Sequence, residues 1–163
     1  YQTPNANVPT TGTASYIGNS STGATAGGVV GTVIMKSGSE NIAAATLSGN
    51  VNLNVNFATQ EANGTLSNMT AKDVISGATS PWNNVTLTGK LSATGSLAAG
   101  GAGAYLNGTT QAAPAGATFG TASTAYGSFG GALYGPNASE AGASWSLNDN
   151  GKVAAGIFGA TKQ

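Results

Sequence analysis

From Val51 to Phe57 the chain reads Val-Asn-Leu-Asn-Val-Asn-Phe, with an apolar residue at every odd position and asparagine at every even one. Successive side chains of a strand point to opposite faces, so this period of two assigns one face to a core and the other to water. The register follows directly. Val51, Leu53, Val55 and Phe57 are expected to point inward and Asn52, Asn54 and Asn56 outward, because a one-residue slip would bury three amides without partners. The strand is expected to turn at Glu61-Ala62-Asn63-Gly64, where Asn-Gly accepts positive φ, and to return as Thr65-Leu66-Ser67-Asn68-Met69.

Similar signals recur along the chain. Thr11 to Gly18 reads as a short first strand, followed by a polar, glycine-rich loop over 19–28. Val29 to Lys36 is β-branched and the most apolar window, which fits a buried strand or an exposed ligand-facing hairpin. Trp82 to Leu91 places Val85, Leu87, Gly89 and Leu91 on one side, and Ala104 to Thr109 starts another strand or a turn. Thr124 to Tyr134 and Val153 to Ala160 complete a set of about eight strands. The fold class is therefore all-β, a single antiparallel up-and-down β-barrel of about eight strands. Residues 1–10, with Pro4 and Pro9, read as an extended leader or tether, and residues 11–163 as the barrel domain.

Composition agrees with this class and removes several functions. Glycine supplies 26 of 163 residues, and Ser, Thr and Asn are abundant, all of which disfavour helix. Five lysines balance five acidic residues with no arginine, so nothing attracts a phosphate backbone and nucleic acid is not an expected partner. The absence of cysteine removes disulfides and thiolate chemistry, and the absence of histidine removes the commonest general base and metal ligand. Glu40, Glu61, Asp73, Glu140 and Asp149 are spread singly, which leaves little for paired-carboxylate catalysis, so an enzyme is not expected. No stretch approaches the roughly 20 apolar residues of a membrane-spanning helix. The opening Tyr1-Gln2-Thr3-Pro4 has no signal pattern, so the chain reads as a mature or trimmed product.

The last third is the most distinctive region. Gly135-Pro136-Asn137 joins a residue that tolerates positive φ, one that fixes φ, and one whose side chain bonds its own backbone, which makes a sharp turn. Tyr134 and Trp145 flank it and are placed to meet across two antiparallel strands; with Phe158 they are read as barrel packing. The run from Gly127 through Tyr134-Gly135-Pro136-Asn137-Ala138, Glu140 and Gly142 to Phe158-Gly159-Ala160 resembles the C-terminal hairpin of the barrel domain of transferrin-binding protein B and its relatives, bacterial surface lipoproteins and secreted haemophores. Asn56-Phe57 followed by Gly64-Thr65-Leu66 is similar to a further pattern of that family.

The resemblance implies a bacterial cell-surface or secreted binding protein, in the outer leaflet of the outer membrane or extracellular, that captures a host protein or a small iron-bearing ligand such as haem for nutrient acquisition. It implies as further partners an outer-membrane translocon or receptor and a lipid anchor upstream of residue 1. No cofactor is certain. With haem as ligand, iron ligation would fall to tyrosine, methionine or lysine, and Tyr16, Met35, Met69, Tyr105 and Tyr126 are the tyrosine and methionine candidates outside the terminal hairpin and leader. The alternative is a structural or adhesin-type surface module with no small-molecule ligand, supported by a surface of low charge density.

Overall fold

The computed structural model describes residues 1–20, 27–37, 39–92, 104–112, 125–149 and 151–163. The elements are a 3-10 turn at Asn5–Asn7 and ten strands: β1 Thr13–Asn19, β2 Gly28–Ser37, β3 Glu40–Asn56, β4 Glu61–Asp73, β5 Thr79–Pro81, β6 Val85–Ser92, β7 Tyr105–Ala112, β8 Tyr126–Tyr134, β9 Glu140–Asp149 and β10 Lys152–Lys162. All the pairings are antiparallel, and β10 returns to pair with both β1 and β2, so the sheet closes. Closure leaves the long strands without a free edge.

Ten strands fill eight positions because two positions are shared. β1 and β2 lie end to end along one side of β3, from Thr13↔Asn56 to Asn19↔Asn50 and then from Val29↔Gly49 to Ser37↔Glu40. β5 and β6 divide the flank of β4 in the same way, at Thr70↔Pro81 and Leu66↔Val85, with the Trp82 N–H donating to the Met69 carbonyl between them at 2.8 Å. Counted by position, each strand neighbours its successor in sequence, which is the expected up-and-down barrel.

The alternating segment behaves as its period requires. Val51, Leu53, Val55 and Phe57 are at most 5% exposed, while Asn52 and Asn54 face water and Asn56 is half-buried. The turn that follows is not where Asn63-Gly64 pointed. It occupies Phe57 to Gln60, with the Asn56 Oδ1 accepting from the Ala58 and Thr59 N–H groups at 3.0 and 3.2 Å and Gln60 at φ 59°. Asn63 and Gly64 lie inside β4, opposite Asn54 and Leu53. Ala62, Gly64 and Leu66 continue the inward face of the barrel, so this register buries both flanking side chains. A Cβ at Gly64 would come within 2.3 Å of the Asn52 carbonyl oxygen, so this glycine serves close strand approach and not reversal.

Two large aromatics fill the middle of the barrel. Phe129 and Trp145 are register partners on β8 and β9, both buried, and they lean over opposite halves of the wall. Gly89 and Gly108 are partners on β6 and β7, and a Cβ on either would come within 2.7 and 2.6 Å of the Phe129 ring. On the other side Trp145 is the partner of Gly156, and Gly156 of Gly31; a Cβ at Gly31 would be 3.0 Å from Trp145 Cζ2. Trp82 packs beside Trp145 with ring centroids 6.3 Å apart and a 52° tilt. The expected contact between Tyr134 and Trp145 does not form: β8 pairs Tyr134 with Glu140, and the Tyr134 ring lies over Gly142 on the outer face. Alternation puts residues 134 and 145 on opposite sides of the sheet.

The turn at Gly135-Pro136-Asn137 is sharp, with Gly135, Asn137 and Ala138 at φ 75°, 55° and 56°. It is held from several directions. The buried Tyr16 hydroxyl donates to the Ala138 carbonyl at 2.8 Å, the Lys162 N–H donates to the Ser139 carbonyl at 2.8 Å, and the Thr3 hydroxyl donates to the Gly135 carbonyl at 2.8 Å. Burial pushes the Tyr16 hydroxyl up to about 12, so the neutral form is the one the fold holds.

Two outcomes are expected. Trp145→Ala should lower unfolding free energy by about 3–5 kcal/mol in chemical denaturation, the cost of removing a buried aromatic; a variant of wild-type stability would show that the ring is not a core element. Tyr16→Phe should cost about 1 kcal/mol. The raised hydroxyl contributes stability that is complete below the unfolded tyrosine value near 10 and is lost as pH rises from there to about 12. That alkaline loss should vanish in the Phe variant.

Candidate functional site: an apolar lip on the far rim

Tyr1 and Gln163 sit at the same end of the barrel, where the Gly135 N–H bonds the Tyr1 carbonyl at 3.0 Å and the Gln163 N–H bonds the Ser15 carbonyl at 2.9 Å. The β3–β4 and β8–β9 turns share this terminal rim. The opposite, far rim carries the tips of β2–β3, β4–β5 and β9–β10.

The far rim concentrates exposed apolar side chains. Met35 and Ile42 face each other directly across the β2–β3 hairpin and are 40% and 47% exposed. Val74 is about half exposed and Ile75 is 92% exposed, both in the adjoining β4–β5 turn. The Val74 N–H donates to the Ala44 carbonyl at 3.1 Å, which ties the turn to the hairpin and makes one lip of the four residues.

The turn that carries Val74 and Ile75 is held by its own hydrogen bonds. Asp73 Oδ1 accepts from the Ile75 N–H at 2.9 Å, the Ser76 N–H at 2.7 Å and the Ser76 hydroxyl at 2.9 Å. The Asp73 backbone closes the same turn through its N–H to the Ala78 carbonyl and its carbonyl to the Gly77 N–H, with Gly77 at φ 70°. The bonds from the Ser76 backbone, the Ser76 hydroxyl and the Ile75 backbone, in that order of weight, hold the Asp73 carboxyl below the usual carboxylate range. A β-branched residue at a turn tip gains nothing from burial here, yet its backbone is fixed before any partner arrives. Preorganisation of this kind lowers the entropic cost of docking.

The five candidate iron ligands occupy five different strands. Tyr16 on β1 is fully buried with its hydroxyl donated to Ala138, and Met69 on β4 is buried against Gly49. Met35 stands on the lip, Tyr105 on β7 is half-buried beside Ser92, and Tyr126 on β8 is 72% exposed opposite Asn148. None lines the wall depression of about 460 Å³ beside Val30 and Ile157, the neighbouring one of about 250 Å³ beside Tyr134 and Glu140, or the one of about 320 Å³ beside Val8 and Phe57 at the terminal rim. Val29 and Val33 are buried while Met35 is exposed, so the most apolar window is wall strand at its base and hairpin tip at its end. Among the described residues no cluster of His, Cys, Asp or Glu is placed to hold a metal ion, and no helix is long and apolar enough to cross a membrane.

Ile42, Val74 and Ile75 are the residues that sequence reading passes over. Their signal is local: two branched apolar residues between an Asp and a Ser-Gly pair, where turn chemistry favours polar residues.

A closed meander barrel packed solid by its own side chains offers its rims and outer wall for recognition, in contrast to barrels that hold a ligand in an open lumen. The chain belongs to the family described as the C-lobe and N-lobe beta barrels of Tf-binding protein B, whose profile matches residues 8–162. Among solved structures, a tryptophan-to-alanine variant of transferrin-binding protein B from Haemophilus parasuis Hp5 aligns over 99% of this chain and 28% of its own, at 18% identity and TM-score 0.63. Isotype 1 transferrin-binding protein B from serogroup B Neisseria meningitidis aligns over 99% and 27%, at 20% identity and TM-score 0.57. A protein described as a surface lipoprotein aligns over 99% and 65%, at 15% identity and TM-score 0.55. The chain thus spans about a quarter of the two transferrin-binding proteins, and likeness at these identities establishes the fold. No curated protein sequence matches.

The Asp73 cage makes a prediction. Because the folded carboxyl titrates below its unfolded value, its contribution is present above the usual range, near 3.9, and is lost as pH falls through the lowered value. The amide resonances of Ile75 and Ser76 should therefore move together only below that range, and Asp73→Ala should speed proteolytic cutting at residues 74–77 while leaving the barrel's melting temperature nearly unchanged. Titration in the ordinary carboxylate range, or an unchanged cutting rate, would show that the carboxylate does not hold the turn.

Proposed function

We propose that this barrel is a bacterial cell-surface module that captures a host protein through its far rim, with transferrin the first candidate. Membership of the transferrin-binding protein B barrel family and the names of the similar structures support the class of partner and the location. The observation that carries the reading to a site is Ile75, 92% exposed on a turn fixed by its own hydrogen bonds. A few well-placed side chains dominate most protein interfaces, and a preorganised aliphatic anchor beside Met35, Ile42 and Val74 has that character. Both termini lie on the opposite rim.

The lipid anchor ahead of Tyr1 and the translocon as delivery partner belong to the same reading and rest on the family. Haem as cargo draws no support from the five candidate ligands, which the fold distributes over five strands.

The test is binding of iron-loaded and iron-free transferrin to the immobilised chain, wild type against Ile75→Ser. The variant should bind about tenfold more weakly or worse, a loss of about 1.4 kcal/mol or more, at an unchanged melting temperature because the side chain contributes no burial. Equal affinity of variant and wild type would remove the lip from the interface; no binding by the wild type would remove transferrin as the partner.

A further inference from the structure

A third position of the barrel is shared, and the sharing is by the first residues of the chain. Beyond the start of β7, the edge of β8 at Leu133–Gly135 is met by Tyr1–Thr3. Gln2 pairs antiparallel with Tyr134, the Thr3 N–H donates to the Leu133 carbonyl at 2.9 Å, and the Gly135 N–H donates to the Tyr1 carbonyl at 3.0 Å. The Ala104 N–H donates to the Thr3 carbonyl at 3.4 Å, so the segment continues the line of β7. Thr3 is fully buried and its hydroxyl caps the Gly135 carbonyl, which gives the slot a side-chain requirement as well as a backbone one.

The β7 position lies diametrically across the eight-position ring from that of β1, so residues 4–12 cross the terminal rim as a strap. Pro4, Asn5, Ala6, Asn7, Thr10 and Thr11 are exposed, and only Val8 packs against the core. Fully extended, nine residues reach about 30 Å, enough to leave the barrel and enter a neighbour. A slot filled through a long, exposed connection by three residues is the arrangement from which strand exchange proceeds, because a second copy supplies the identical segment and every contact in the slot is remade.

We infer that the Leu133–Gly135 edge is a strand-exchange site whose partner is a second copy of this chain, each copy placing its Tyr1–Thr3 in the other's slot. In dilute solution the cis arrangement wins, since a short linker gives an effective concentration in the millimolar range. Exchange sets in when copies are crowded to comparable local concentration.

The chain has no cysteine, which makes the test clean. Gln2 and Tyr134 form a pair flanked by, and not making, the ladder hydrogen bonds, the closer type of antiparallel pair with Cα atoms about 4.5 Å apart, within disulfide reach. The double variant Gln2→Cys, Tyr134→Cys at micromolar concentration should close an internal disulfide and run as a monomer. The single variants Gln2→Cys and Tyr134→Cys, mixed at about 1 mM under a mild oxidant, should form a disulfide-linked heterodimer. Its yield should rise with concentration and exceed by about tenfold that of Gln2→Cys mixed with Ile75→Cys, an exposed site on the opposite rim. Heterodimer no more abundant than in that control, with the double variant closing normally, would overturn the exchange. Failure of the double variant to close would overturn the slot itself. Neither outcome depends on transferrin.

Discussion

The structure depends on two aromatic rings seated over glycines. A barrel of eight strands has an interior only as wide as its side chains can fill, and here Phe129 and Trp145 fill it from adjacent strands by leaning apart, one over Gly89 and Gly108 and the other over Gly156 and Gly31. Each glycine gives up the packing of its own side chain so that a neighbour's ring can lie against the wall. A methyl group at Gly108 would meet both the Phe129 ring and the backbone of Gly89, so the accommodation cannot be local to one strand. The glycine content that makes the composition look loose is, at these positions, what lets the core close-pack.

With the middle filled, irregularity is displaced to the ends. The far rim carries a stiff turn with an aliphatic tip; the terminal rim carries a turn with positive φ at Gly135, Asn137 and Ala138, restrained by Tyr16, Thr3 and Lys162. Non-glycine residues in left-handed conformations persist only where their surroundings over-determine them, and Ala138 is fully buried with its carbonyl bonded to Tyr16. The Lys162 ammonium lies 5.8 Å from the Phe57 ring centroid, so the last strand also touches the residue that ends the alternating segment.

Much of this was legible in the residues. The strict alternation over Val51–Phe57 carried the register, and the Gly-Pro-Asn turn and the final strand stand where local chemistry put them. The exceptions have physical causes. Asn63-Gly64 is a strong turn signal locally, but Ala62, Gly64 and Leu66 extend the inward face, and burial outweighed turn propensity. Tyr134 and Trp145 flank a turn at unequal distances, so parity sent one ring out and the other in. The shared positions were illegible because nothing in a sequence marks two short strands as parts of one barrel position. The lip was hidden because exposure is a property of the assembled rim: the window ending at Met35 fits a buried strand or an exposed hairpin, and nothing local marks Ile42 as its partner.

The chain enters and leaves through one rim, with Tyr1 bonded to Gly135 and Gln163 bonded to Ser15. A unit built this way places both ends on one face, separated by no more than the width of that rim. Grafted into a loop of a larger protein, it asks its host for little more than the entropy of a longer loop, which grows only logarithmically with length. In two transferrin-binding proteins the matching barrel takes up about a quarter of the chain, so such a fold can be set within a longer chain without redesigning whatever it is joined to.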